Sequence, residues 1–303
     1  MQQIIQGALA LGLLWSIMTI GVYCTYRILD IADLTAEGSI TLGAATAAAA
    51  IVAGTNPFAA SALAFCAGAL AGLSTALLHT KLRIPPLLAG ILTMIALYSV
   101  NLRVMGKANL PLLRVQSVYS GLENMGLTKN MATIVFGGGA ALLVIVILYW
   151  FFGTEIGCAI RATGINARMS RAQGINTDAM KTIGLMLGNA LIALSGALIA
   201  QYQSFADIQM GTGSIVIGLA SVIIGEVLFG KKGFFSRFVS LVFGAVTYRL
   251  IIAGVLKMGM NANDLKLFTA ITVAIALSLP VFSEYISTFK KSLRTEELPC
   301  SKS

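Results

Sequence analysis

The sequence predicts an all-α membrane protein, a polytopic bundle of about nine transmembrane helices with broken or re-entrant segments, and three observations predict it. Of its 303 residues, 57% are hydrophobic and 11% charged, whereas a soluble globular chain carries roughly a quarter charged residues. Apolar runs of about twenty residues recur along the whole length, each long enough at about 1.5 Å per residue to cross a hydrocarbon core about 30 Å thick. Stretches such as Ala44 to Ala53 lack the alternation of a barrel strand. Lipid offers backbone amides no partners, so the spans must be helices.

The expected spans lie at 4–26, 37–54, 58–78, 85–102, 132–152, 182–203, 212–229, 238–256 and 267–283, with a tail over 284–303 and the whole forming one domain. The N-terminus, Met1 to Gln6, carries no Lys or Arg, so the first span lacks the basic start of a cleavable signal and is expected to be retained. The second opens on Asp30, Asp33 and Glu37, which lead into Gly38-Ser39-Ile40-Thr41-Leu42-Gly43. Glycines and hydroxyls at membrane depth suit unwound backbone that lines a watered cavity, or the cap of a helix at the interface. The third and sixth spans carry Gly68-Ala-Leu-Ala-Gly72 and Gly184-Leu-Met-Leu-Gly188. That spacing lets helix backbones approach closely, within one bundle or between two copies. The seventh opens on Gly211-Thr212-Gly213-Ser214-Ile-Val-Ile-Gly218, a second expected break. In the eighth, Arg249 stands about eight residues, or roughly 12 Å, from the nearer end. It should face the bundle or a wet cavity, or else snorkel to the interface. Residues expected to line a pathway are therefore Asp33, Glu37, Ser39, Thr41, Gly211, Thr212, Ser214 and Arg249.

With the tail placed in the cytoplasm, fourteen basic residues in loops fall inside, among them Arg27, Arg161, Arg171 and Lys232, and six fall outside. This asymmetry places the C-terminus inside and, for nine spans, the N-terminus outside.

Several chemistries are excluded. The net charge of +9 is spread between hydrophobic runs, with no dense basic patch to hold nucleic acid. Cys24, Cys66, Cys158 and Cys300 stand singly, without metal-ligand or disulfide spacing, and the sole histidine, His79, rules out a His-based metal site or a hydrolase triad within the chain. Gly225-Glu-Val-Leu-Phe-Gly230-Lys231 imitates a phosphate-binding loop, but Lys232 replaces the hydroxyl residue that would hold magnesium, and an apolar helix precedes it. The chain is expected to be no enzyme and to hold no cofactor or metal.

The densest signal is the loop 154–182, where a pattern repeats ten residues apart: Arg161-Ala-Thr-Gly164-Ile-Asn166 and Arg171-Ala172-Gln-Gly174-Ile-Asn176. It predicts two short helices, ended by Gly164 and Gly174 as left-handed residues. Asn166 would cap the second helix and Asn176 the next span. Such a knob can dock in a groove of a partner.

These residues also carry a resemblance. The run from Gly157 to Ala200, together with Leu29 to Ala44 and Ile223 to Gly233, resembles the permeases of branched-chain amino acid and monosaccharide ATP-binding-cassette (ABC) importers. The likeness extends over about residues 15–255 and is nearest to permeases for amino-acid-type solutes, aromatic amino acids among them. It implies a subunit that binds ABC ATPase subunits and an extracytoplasmic lipoprotein receptor and pairs as a homodimer in the lipid membrane, with ATP and magnesium held by the partner ATPase. Glu155, Arg161, Gly164, Asn166, Arg171, Ala172, Gly174 and Asn176 would then form the ATPase-coupling element. An ion-coupled carrier is the competing reading, with Asp30, Asp33 and Glu37 gathered around a cation or proton.

Overall fold

A computed structural model describes residues 2–257, apart from 114 and 230–232, and a few positions between 267 and 278. Most of the ninth expected span, the whole tail and Lys231 with Lys232 lie outside the described residues. Helix α1 (Gln2–Tyr23) runs into a five-residue π-turn, Cys24–Ile28. There follow α2 (Thr35–Val52), α3 (Pro57–Thr80), α4 (Pro86–Met105), strand β1 (Asn109–Pro111), α5 (Ser120–Glu123) and α6 (Lys129–Gly153). After these come α7 (Glu155–Ile165), α8 (Ala167–Ala172), α9 (Thr177–Gln203), β2 (Phe205–Asp207), α10 (Ser214–Phe229) and α11 (Phe234–Lys257). Among the described residues, α1 with its π-turn, α2, α3, α4, α6, α9 and α11 are long and apolar enough to cross a membrane, and α10 is a shorter apolar helix.

Helix α9 is the axis of the bundle, buried along most of its length against α1, α2 and α3. Close approach is possible because small residues meet backbone. A side chain added at Gly43 of α2 would strike the Ala193 carbonyl, and one at Gly72 of α3 would strike that of Leu185. Gly68 and Gly72, like Gly184 and Gly188, thus pack within the chain. The core around this axis includes Leu14, Ile17, Met18, Ile192 and Ile199, all essentially inaccessible.

Helix α1 is antiparallel to α9: Gly7 lies near Tyr202, the Leu14 carbonyl accepts from Ser195 Oγ at 2.8 Å, and Gly188 packs on Thr25. One end of the bundle therefore carries the π-turn, α7 and α8, and the other carries the start of α1 and the β1–β2 ladder. In that ladder Asn109, Leu110 and Pro111 pair antiparallel with Asp207, Ala206 and Phe205.

The expected break over Gly38–Gly43 is absent. These residues are helical within α2, and the chain is instead irregular just before it, between Leu29 and Leu34. The glycines there serve packing, since a Cβ at Gly38 would press on Leu97. The second expected break is present only over its first residues: 210–213 are turns and Gly213 is left-handed at φ +77°, but α10 begins at Ser214 and is helical through Gly218.

Candidate functional site: a helical knob and a membrane cavity

At the α7 end the chain leaves α6 at Gly153, and the Thr154 side chain caps α7 by accepting from the Gly157 amide at 3.3 Å. Asn166, extended at φ −155°, ends α7 and caps α8, its Oδ1 accepting from the amides of Arg168 (3.1 Å) and Met169 (3.0 Å). Gly174 sits at φ +83°, its amide donating to the Arg171 carbonyl while the Ile175 amide donates to that of Ser170. This paired closure ends α8 as a glycine-terminated helix should. Asn176 then caps α9 through the Ala179 amide at 3.1 Å, with Asp178 in the first turn where a negative charge suits the dipole.

Gly164 departs from expectation. It does not end α7, which continues to Ile165; instead a side chain at 164 would collide with the Ile28 carbonyl. Absence of a Cβ lets α7 lie flat on the π-turn. Here the glycine marks a close approach and not a helix stop.

Two arginines fasten the knob. Arg171 Nη2 donates to Thr177 Oγ1 at 2.7 Å and lies 3.7 Å from an Asp178 oxygen, tying α8 to α9. The Arg161 guanidinium lies over the Phe234 ring, 4.6 Å from its centroid, tying α7 to α11. Glu155 stands exposed in the first turn of α7 and Ala172 exposed at the end of α8. Three apolar side chains are left facing outward: Ile156, Met169 and Ile165, the last 85% exposed.

At the side of the bundle, an open cavity of about 430 Å³ is bordered by Glu37, Gly38 and Thr41 of α2, Met94, Ile95, Tyr98, Ser99 and Asn101 of α4, and Ile208 and Thr212 from the segment before α10. Glu37 Oε1 accepts from the Gly213 amide at 3.0 Å, a carboxylate set against the N-terminus of α10. Gly211 is pressed against the Glu37 carbonyl and the Thr41 hydroxyl. Glu37, Thr41, Gly211 and Thr212 are thus brought together.

The remaining expected residues lie elsewhere. Asp33, 3% exposed, accepts from the Thr35 amide at 2.9 Å and from Asn189 Nδ2 at 2.6 Å, and Asn189 Oδ1 accepts from the Ser39 hydroxyl at 2.6 Å. Ser214 is fully buried, its hydroxyl without a hydrogen bond among the described residues. Arg249 stacks on Trp15, its guanidinium carbon 4.1 Å from the ring centroid, and so faces α1. Asp30 is exposed at φ +56°. The three carboxylates proposed for an ion site therefore do not converge, and among the described residues no three metal-ligating groups cluster.

Two polar partnerships were missed. Asn189 signals itself only as a lone amide in an apolar span. Glu226 meets Arg27 in a double contact, Nε to Oε1 at 3.2 Å and Nη2 to Oε2 at 3.3 Å, joining the π-turn to the last turn of α10. Charges 199 positions apart leave no local trace.

Comparison with known proteins gives a consistent answer. The profile of the family described as "Branched-chain amino acid transport system / permease component" matches residues 4–277. A tyrosine transport system permease protein of Clostridioides difficile (strain R20291) is 40% identical over 86% of this chain and 86% of its own length. An uncharacterized protein of Rickettsia prowazekii (strain Madrid E) is 32% identical over 89% of the chain and 95% of its own. The ribose import permease protein of Escherichia coli (strain K12) is 24% identical over 91% and 82%.

Proposed function

This chain belongs to the family of branched-chain amino acid transport system permease components, and we propose that it carries an aromatic amino acid inward, coupled to the ATPase through α7 and α8. It is the membrane-spanning permease subunit of an ATP-driven ABC importer and is not itself an enzyme. ATP and magnesium are held by separate ATPase subunits. A lipoprotein receptor presents the solute at the β1–β2 end, and two copies of the chain face each other in the lipid. In this reading the α7–α8 end and the C-terminus face the cytoplasm and the N-terminus faces out. The bundle spans the membrane about nine times and is entered by the broken segments before α2 and α10.

The observation that carries this reading is the knob. Two capped helices, too short to be stable alone, are clamped to the bundle and still present Ile156, Ile165 and Met169 to the outside. An apolar trio on a rigid protrusion suits insertion into a partner's groove. The cargo class rests on the tyrosine permease relative.

Reconstituted in proteoliposomes with its ATPase and receptor, the permease should take up L-tyrosine only with ATP, and uptake should survive collapse of ion gradients. Uptake by the permease alone, abolished by that collapse, would establish the ion-coupled reading instead. In the same system Arg171→Ala frees α8 from α9. Because the ion pair is exposed, folding should change by less than about 1 kcal/mol, while ATP-driven uptake falls several-fold. Unchanged uptake would remove Arg171 from the coupling element.

A further inference from the structure

Where α6 meets α7, an open pocket of about 430 Å³ is bordered by Tyr149, Trp150 and Gly153 near the end of α6, by Arg161 of α7 and by Phe234 of α11. Aromatic rings surround one cation, and no acidic side chain borders the space among the described residues. The Arg161 side chain is exposed; its guanidinium lies over Phe234 with the carbon 4.6 Å from the ring centroid, and it makes no hydrogen bond or ion pair among the described residues. Stacking uses the face of a guanidinium, whereas its five N–H donors lie in the plane, at the edge. One contact therefore holds this cation in place and leaves its donors open for another.

The depth of the pocket in the membrane follows from α6. That helix has 25 residues, so at about 1.5 Å per residue it is roughly 37 Å long, more than a hydrocarbon core of about 30 Å. Its last turn emerges at the polar boundary, where Trp and Tyr accumulate in membrane proteins. Trp150 is 71% exposed there, and Leu142, Leu143, Val146 and Ile147 are exposed in the turns before it. Residues four apart share a helix face, so these side chains form one apolar strip leading from the pocket toward the bilayer centre. A cation at the boundary and an apolar strip beneath it match the two ends of a single molecule.

We propose that this pocket binds the headgroup of an anionic phospholipid, with its phosphate on the edge of Arg161 and its acyl chains along the strip on α6. The proposal needs the chain to span a membrane, but neither the cargo nor the ATPase coupling assigned above. The two unesterified phosphate oxygens can each accept an N–H from one guanidinium, the paired geometry that arginine favours. A zwitterionic headgroup would bring its own cation to a space where no carboxylate borders it and the Phe234 face is already taken by Arg161. Once bound, the lipid joins α6, α7 and α11 on the side where Arg161 already meets Phe234.

The chain contains two tryptophans, Trp150 beside the pocket and Trp15 buried in the core, so lipids brominated on their acyl chains can report occupancy by quenching. The assembled permease–ATPase complex is placed in phosphatidylcholine vesicles containing brominated phosphatidylglycerol or, in parallel, brominated phosphatidylcholine. The quenching that disappears in Trp150→Phe is the signal of the pocket. A basic contact that favours an anionic lipid about fivefold should make phosphatidylglycerol, at about one tenth of the lipid, quench Trp150 about three times as strongly as phosphatidylcholine. Arg161→Ala should bring that ratio to one, and Arg161→Gln, which keeps a planar group over Phe234, serves if the alanine variant fails to fold. Arg168→Ala, which removes an exposed charge from neighbouring α8, should leave the ratio unchanged, and inorganic phosphate at constant ionic strength should not release the lipid. A ratio of one in the unaltered protein, or a ratio that survives loss of the Arg161 charge, overturns the site. So does a ratio that falls equally in Arg168→Ala, which would show a diffuse basic surface, or release by inorganic phosphate, which would show a site for the free ion. Quenching of Trp150 by neither lipid also overturns it and assigns the strip on α6 to a second protein surface.

Discussion

Asn189→Leu should destabilise the bundle by about 3 kcal/mol, the upper end of the range for leaving a buried hydrogen-bonding group unsatisfied. The Asp33 carboxylate is 3% exposed and would retain only the Thr35 amide, and Ser39 would lose its acceptor as well. Leucine also places branched carbon where α2, α3 and α9 meet with almost no gap, since Gly68 of α3 already abuts the Asn189 carbonyl. Heating the detergent-purified permease and following its monodisperse peak will show the loss as a lower midpoint and a poor yield. Charge and volume can be separated. Asp33→Ala combined with Asn189→Leu removes the orphaned carboxylate, so the pair should be less damaging than the sum of the two single changes. Strict additivity would mean that the carboxylate contributes nothing and that steric crowding explains the whole effect.

The second large effect is expected at Gly164. A valine there cannot coexist with the Ile28 carbonyl, so α7 must lift from the π-turn. Beyond that contact lies a short mechanical chain: Leu29 packs on Gly184 of α9, and four residues on, Asp33 is bonded to Asn189 of the same helix. A continuous line of contacts thus joins α7 to both the irregular segment before α2 and the axis helix. Gly164→Val should leave assembly with the ATPase and its basal hydrolysis largely in place while ATP-driven uptake falls more than about tenfold, corresponding to a coupling penalty above about 1.4 kcal/mol. Uptake and hydrolysis falling in equal proportion would show instead that the variant disrupts docking or folding.

The sequence made some of this legible for a clear physical reason. Membrane helices announce themselves by length and apolarity, and the caps at Asn166 and Asn176 and the left-handed Gly174 are set by interactions within four residues. Distant partners supply the remainder. Gly164 and Gly38 carry the same letter as Gly174, but their purpose is set by Ile28 and Leu97, and a local pattern cannot tell a helix stop from a surface shaved for contact. Boundaries suffered similarly: α9 begins at Thr177, five residues before the expected span, because capping and not hydropathy sets where a helix starts. Glu37 and Thr212 were readable as polar residues at depth.

The small ladder at the far end has a bearing on how the molecule yields to force. β1 follows α4 within a few residues and β2 leads directly to Ile208 and Thr212, so the strands splice together the two margins of the chamber, reinforced by Asn109 Nδ2 donating to Asp207 Oδ2 at 3.2 Å. A push on that rim is therefore expected to carry both margins together, with the ladder resisting their separation.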